Sequence, residues 1–392
     1  MKIIELIFWI AIALIVYTYV GYGIVLFLLI KIKRLFKKKE SIYLAENELP
    51  QVTLLIAAYN EQDYVKAKIE NTLQLNYPKE KLHQIWVTDG SSDETPKRLK
   101  AYSEVEVLHK SERNGKIAAM NRGIKFVKTP IVIFSDANTL LGKESIMKIA
   151  EMFNDPKVGC VSGEKRIFNA KEEAASAAGE GLYWKYESKL KQWDAELNSA
   201  VGAAGELFAI RTELFNEVEP DTLLDDFIIS LRVAMQGYKI DYSPEAYAIE
   251  NASINIKEEL KRKIRIAVGG IQSIVRLYPL LNTFKYGMLS FQYISHRVLR
   301  WTITPVALLV VLLSNLILVS TSNIYLILLI LQLLFYISVL VGWILENKEI
   351  KVKVFFIPYY FFIMNYAVFM GFGRYLKKSQ SVNWERAKRA RQ

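Results

Sequence analysis

The amino-acid sequence predicts an α/β domain built on a doubly wound, mostly parallel sheet and held between α-helical transmembrane segments. Three observations carry that expectation. Between residues 45 and 280, short β-branched and aromatic runs alternate with amphipathic stretches, the βαβα order that gives a parallel sheet covered on both faces. Both ends of the chain hold apolar runs as long as the ~20 residues needed to cross a bilayer. The surplus charge lies beside those runs rather than on the domain. Of the net +11, residues 31–39 carry six basic groups and no acid, and residues 374–392 carry seven basic groups and one acid, which leaves the remainder near neutrality. Basic clusters abutting apolar segments meet anionic membrane lipids and fix topology. A nucleic-acid binder spreads its charge over a folded face, so no nucleic-acid partner is expected.

Composition narrows the class further. The 392 residues are 52% hydrophobic and 23% charged, with a mean hydropathy of +0.15. That is too apolar for an ordinary soluble enzyme and too charged for a chain embedded throughout. One cysteine, Cys160, excludes an internal disulfide and a cysteine-based zinc site. His83, His109 and His296 are scattered without metal-ligand or triad spacing and read as surface or core residues.

In chain order, residues 1–30 form a transmembrane helix. The run from Ile3 to Ile30 is too long for a cleaved signal peptide and is followed by a basic stop-transfer segment. Residues 31–44 are a basic juxtamembrane linker, and 45–280 are the α/β domain, expected on the cytosolic side of the cell's inner membrane. Residues 281–301 are amphipathic and end in His296-Arg-Val-Leu-Arg300-Trp301, suited to lie along the headgroups. Residues 302–373 hold three apolar runs, Ile303–Val319, Tyr325–Leu345 and Val354–Gly373, giving two or three spans. The last is interrupted by Pro358, Asn365 and Gly371, so it either spans or re-enters. Residues 374–392 form a basic tail.

Within the domain, strands are expected at Val52–Ala57, Gln84–Thr88, Val105–His109 and Ile131–Asp136, with helices at Gln62–Leu73, Thr95–Tyr102 and Gly115–Val127. Asp136 then stands at the carboxyl end of the central strand, the edge where open α/β sheets bind ligands. A carboxylate there suits a divalent cation carrying a diphosphate, and it suits an ordinary turn equally well. Asp89, at the tip of the second strand, opens a loop in which Asp93 caps the next helix. That leaves an exposed Asp89 free to accept hydrogen bonds from a nucleotide.

Four motifs between residues 57 and 138 carry a resemblance: Ala57-Ala-Tyr-Asn-Glu61, Thr88-Asp-Gly-Ser-Ser-Asp93, Asn114-Gly-Lys116 with Asn121, and Ser135-Asp-Ala-Asn138. In this order they resemble the nucleotide-sugar half of the membrane-bound family 2 glycosyltransferases, of the cellulose, chitin, hyaluronan and poly-N-acetylglucosamine synthase type. The resemblance implies a GT-A-like fold, a UDP-sugar donor, and Mg2+ or Mn2+ as cofactor. It assigns donor binding to Ala57, Tyr59, Glu61, Asp89, Lys116 and Asp136, with Glu61 and Asp89 at the uridine and Lys116 near the diphosphate. Asp136 leads the family's D-x-D metal motif. Here its second acid is Asn138, whose amide oxygen still ligates a hard cation but brings no charge.

The resemblance extends to the acceptor half. Ser199-Ala-Val-Gly-Ala-Ala-Gly205 matches the family's glycine-rich stretch before a strand at Leu207–Ile210, and the preceding helix, Ala174–Trp193, offers Tyr183, Trp184, Tyr186 and Trp193 as core or sugar-stacking aromatics. Thr222-Leu-Leu-Asp225-Asp226 matches T-E-D, with Asp225 in place of glutamate. The pair alone reads as an acidic helix start, whereas the family places its general base on Asp226. Arg265 matches the arginine of Q-x-x-R-W, with Arg262 for the glutamine and Ile266 for the tryptophan. Gly205, Asp225, Arg262 and Gln272 are the expected acceptor contacts, and Asp226 and Arg265 the catalytic pair.

The function expected is inverting transfer from a glucose- or N-acetylglucosamine-type UDP-sugar to a polysaccharide or oligosaccharide acceptor, with possible coupling to export subunits. Two rivals stand beside it: single transfer that forms a glycolipid, and a non-catalytic nucleotide-binding scaffold.

Overall fold

The computed structural model describes residues 1–36, 48–168, 175–251, 256–348, 350 and 352–381, without the side chains of 168 and 175–183. Most of the basic linker, the tail beyond 381 and the Tyr183 side chain therefore lie outside the described residues.

Strand β1 (Val52–Ala58) sends its side chains alternately into two apolar layers. Leu55 joins Val87, Val132, Phe134 and Phe208 on one face, while Leu54 and Ile56 join Trp86, Ile133 and Ile149 on the other. Burial on both faces is why this strand reads as an unbroken apolar run. It pairs in parallel with β2 (Leu82–Asp89) and β4 (Ile131–Asp136), and β2 pairs in parallel with β3 (Glu106–Lys110). Helices α2 (Gln62–Leu73), α3 (Thr95–Leu99) and α4 (Lys116–Gly123) make the crossovers. All four strands therefore point their carboxyl ends the same way.

Beyond β4 the alternation breaks down. Strands β5 (Leu140–Leu141), β6 (Val158–Phe168), β7 (Leu207–Arg211) and β8 (Lys239–Asn251) complete one sheet in the order β3-β2-β1-β4-β7-β6-β8-β5. β7 runs antiparallel to both neighbours, so Phe134 of β4 faces Phe208 in register and stacks on it at 4.8 Å. Helices α5 (Ser145–Met152), α6 (Ala175–Leu197), α7 (Asp225–Met235) and α8 (Ile256–Arg276) connect and cover this half.

The membrane part begins with α1, Lys2–Phe36, which contains one π-helical turn at Tyr17–Gly21. Among the described residues, α1 and two later helices are long and apolar enough to cross a membrane; α9 (Met288–Trp301) and α10 (Ile303–Leu318) meet at a 53° bend and form a fourth if counted as one broken span. The other two are α11 (Asn323–Asn347) and α12 (Lys353–Leu376). α12 continues through Pro358 as one helix. It lies close against α8, where a Cβ on Gly371 would come within 2.6 Å of Ala267.

One expectation is corrected. His296 and Arg300 do not lie along the headgroups but are buried against α6. His296 Nδ1 is 2.6 Å from Asp194 Oδ2, a carboxylate that Tyr22 of α1 also reaches, and Arg297 and Arg300 both pair with Glu187. Buried charges require such partners. Glu187 and Asp194, two turns apart on α6, thus clamp α9 and α1 to the domain.

Candidate active site

The parallel register brings the first motifs to one edge. Ala57 of β1 stands opposite Val87 of β2 and Asp136 of β4, so the loops after these strands share one rim. Asn60 takes a positive φ of 53°, and its amide oxygen accepts the Ser92 N–H at 2.8 Å. Asp93 does not serve as a simple cap: one carboxylate oxygen accepts the Thr95 N–H at 3.0 Å and the other the Gln62 N–H at 3.1 Å. The two donor-side loops are therefore tied to each other before any ligand arrives.

Asp89 is the second correction. It is 4% exposed rather than open, and its Oδ2 accepts the N–H groups of Asn114 and Gly115 at 2.9 and 2.6 Å. Gly115 holds φ at 93°, a conformation that favours glycine, and so delivers Lys116 as the first residue of α4. Asp89 thus fixes the loop that aims Lys116.

Lys116 spans the centre of the site. Its Nζ lies 2.8 Å from Asp136 Oδ1 and 3.3 Å from Asp225 Oδ2, joining the donor edge to the first turn of α7. Burial would weaken its hold on a proton, but the charges of Asp136, Asp225 and Asp226 outweigh that and raise its pKa. Burial raises Asp136, with Lys116 opposing and Glu206 adding to the rise. Asp226 is pushed up to about 7, first by burial and then by the charge of Asp225 beside it. Burial lowers Arg265, and the same carboxylates resist that.

These groups line one cleft of about 880 Å³ together with Ala57, Tyr59, Glu61, Asp89, Asn138, Gly205 and Arg262. A Cβ on Gly205 would stand 3.2 Å from Asp226 Oδ2, so glycine keeps the approach to that carboxylate open. Arg262 lies 3.9 Å from Glu206 and 3.5 Å from Glu259. Gln272, expected at the acceptor, is outside the cleft. Its side chain accepts the Leu223 N–H at 3.0 Å and donates to the Asp221 carbonyl at 2.8 Å, steadying the loop before Asp225. Trp184 and Tyr186 face the cleft, whereas Trp193 packs on Phe27 of α1.

Sequence reasoning missed four residues here. Arg113, next to the Asn114-Gly-Lys116 motif, stacks on the Tyr59 ring at 3.8 Å. Glu206 follows Gly205, and burial would raise its pKa but Lys165 and Arg262 hold it low. Trp301, assigned to the headgroups, lines the cleft and packs edge-on against Phe227 at 5.3 Å. Lys68 is fully buried beneath the metal motif, donating to Ser135 Oγ at 2.8 Å and to the Thr139 carbonyl at 2.9 Å.

The chain fits a hard cation only in part. Asp136 and Asn138 supply one carboxylate and one amide oxygen on the same wall, and the Lys116 ammonium at Asp136 shows that a cation is stabilised there. Among the described residues no group of three or more His, Cys, Asp or Glu can hold a metal alone. Mg2+ or Mn2+ would complete its shell with diphosphate oxygens and water.

The charged cleft lies at the carboxyl ends of the parallel strands, the edge where open α/β sheets bind ligands. The family model for "glycosyltransferase like family 2" matches residues 50–269, more than half of the chain, and the chain belongs to that family. Among curated proteins it is 29% identical over 240 residues to the poly-β-1,6-N-acetyl-D-glucosamine synthase of Staphylococcus aureus (strain MSSA476), covering 59% of this chain and 57% of that one. It is 27% identical over 266 residues to the β-monoglucosyldiacylglycerol synthase of Trichormus variabilis, covering 62% and 53%. The match thus spans a little over half the length of these relatives. Among solved structures, the mannosyltransferase PcManGT from Pyrobaculum calidifontis, in complex with GDP-Man and Mn2+, superposes with a TM-score of 0.71 at 20% identity, over 95% of this chain and all of that one. The GT-A-like fold expected from the motifs is the fold found.

Proposed function

We propose that this chain transfers a hexosyl group, with inversion, from a UDP-sugar of glucose or N-acetylglucosamine type to a hydroxyl of a saccharide or lipid acceptor at the cytosolic face of a membrane. The observation that carries this reading is the single cleft that holds the Asp226 carboxylate with Lys116 and Asp136, its approach kept open by Gly205. In its ionised form Asp226 accepts the acceptor's proton as the hydroxyl oxygen attacks the anomeric carbon. Gly205 leaves room for that hydroxyl. Lys116 and Arg265 set positive charge beside the departing diphosphate, and Asp89 holds the Lys116 loop in place. A divalent cation on Asp136 and Asn138 would supply further neutralisation of the leaving group.

The names of the two relatives point to different products, a polymer and a glycolipid. Helices on both sides of the domain support an acceptor made or held at a membrane. Asp89, Asp136, Asp226 and Arg265 gathered in one cleft count against a non-catalytic scaffold. UDP release by the detergent-solubilised chain, across UDP-sugars and GDP-mannose with lipid and oligosaccharide acceptors, tests the reading. Turnover with a UDP-sugar is expected; UDP binding without turnover from any donor would favour the scaffold.

A further inference from the structure

The cleft continues past Asp226 to the membrane helices. Its far wall is built from Tyr19 of α1 and from Ile357, Phe361, Met364 and Val368 of α12. Tyr19 Oη donates to Asn365 Oδ1 at 2.7 Å, and its ring meets Phe361 edge-on at 4.9 Å. This hydrogen bond and ring contact bring α1 onto α12 beside the cleft, at the π-helical turn of α1. An apolar wall between two membrane helices suits an alkyl chain better than a free sugar.

Lys191 of α6 lines the same cleft and is only 7% exposed. Its natural helical partners are the acids one turn away on either side, Glu187 and Asp194. Both are taken. Glu187 is held by Arg297 and Arg300, and Asp194 by Tyr22, Gln292 and His296. Among the described residues the Lys191 ammonium makes no hydrogen bond and no ion pair, and Arg297 stands in the same lining. Burial and the Arg297 charge lower its pKa, opposed by the carboxylates of Glu187, Glu206 and Asp226, none of which pairs with it directly. A buried ammonium aimed into a cavity is a receptor for an anion.

We infer that this end of the cleft is the acceptor subsite for a phosphate-bearing lipid, with the phosphate on Lys191 beside Arg297 and the chain passing between Tyr19 and α12. The lipid's headgroup hydroxyl then reaches Asp226. Its oxygen bonds to the anomeric carbon as the bond to the diphosphate breaks, its proton goes to Asp226, and UDP departs. That last step rests on the glycosyl-transfer reading above, whereas the binding site does not.

The test is therefore a binding measurement without donor sugar. The full chain in detergent, as wild type, Lys191→Met and Lys191→Arg, is titrated by native mass spectrometry with phosphatidylglycerol, which carries phosphate and hydroxyls, and with diacylglycerol, which carries a hydroxyl alone. UDP affinity is measured on the same samples. Phosphatidylglycerol is expected to bind the wild type at least ~10-fold more tightly than diacylglycerol, the worth of one charge-assisted contact. Lys191→Met should abolish that preference, Lys191→Arg should keep it, and UDP affinity should stay within about twofold in both. Equal phosphatidylglycerol binding by Lys191→Met overturns the proposal. So does a parallel loss of UDP affinity in a folded variant, which would assign Lys191 to the donor's diphosphate. Inorganic phosphate displacing the lipid at equal concentration would reduce the site to a free-phosphate site and overturn the lipid assignment. If Lys191→Met does not fold, Lys191→Gln against Lys191→Arg makes the same comparison.

Discussion

Replacing Asp226 by asparagine should make the protein more stable and nearly inactive. The carboxyl moves from an ordinary value of 3.8 to about 7 in the fold. At 1.36 kcal/mol per pH unit, that shift of about three units bounds the cost of ionising it in place at about 4 kcal/mol. Relaxation of the cleft and entry of water on ionisation recover part of that, so we expect about half, ~2 kcal/mol. The sign follows from the direction. A carboxyl whose folded pKa is raised costs nothing below pH 3.8, costs progressively more as pH rises toward 7, and carries the full penalty above that. An uncharged amide at this position carries none. The melting temperature of Asp226→Asn should therefore match wild type near pH 4 and exceed it by ~4–8 °C at pH 8, taking 2–4 °C per kcal/mol for a domain of this size. Transfer should fall by ~10²–10⁴-fold, the usual worth of general-base catalysis, while UDP affinity barely changes. Thermal melts at the two pH values and a UDP-release assay measure both arms. Wild-type turnover in the variant, or a melting difference that does not grow with pH, would refute the assignment.

Three further outcomes are expected. Asp136→Ala removes the one carboxylate of the metal pair and should cost on the order of 100-fold in metal-dependent UDP affinity by calorimetry with Mn2+ or Mg2+; unchanged affinity would place the metal elsewhere. Asp225→Asn removes the like charge that helps hold Asp226 up, so the rising limb of the pH–rate profile should move below its wild-type position near pH 7, and a fixed limb would show that burial alone sets it. Lys68→Met deletes the hydrogen bonds beneath Ser135 and Thr139, which should cost ~1–3 kcal/mol of stability and weaken metal-dependent UDP binding more than acceptor binding; an unaffected donor affinity would show that the loop holds its shape without the lysine.

What the chain reveals by itself follows from range. β1 and β4 are buried on both faces, so their apolar runs announce them, and parallel pairing alone carries Asp89 and Asp136 to one edge. β7 lies antiparallel between β4 and β6, a placement set by packing such as Phe134 on Phe208 that no local pattern encodes. Asp89 looks exposed in sequence because the groups it binds are backbone N–H donors of a loop 25 residues away. The same blindness to long-range pairing put His296 and Arg300 at the headgroups, since nothing near them announces Glu187 and Asp194. Lys68 did leave a signal: it shares a helical face with Val65 and Ile69, and a lysine on a buried face needs a reason. Gln272, expected at the acceptor, turns instead toward the loop it supports.

The most direct test of the central claim is mass analysis of the product formed by the purified chain from UDP-glucose and UDP-N-acetylglucosamine with Mg2+ or Mn2+ in the presence of lipid acceptors. The expected result is an acceptor heavier by one or more hexose or N-acetylhexosamine residues, absent from the Asp226→Asn sample although that variant still binds UDP. A wild-type protein that binds UDP and yields no glycosylated product from any donor, or an Asp226→Asn variant that yields the same product at the same rate, would contradict it.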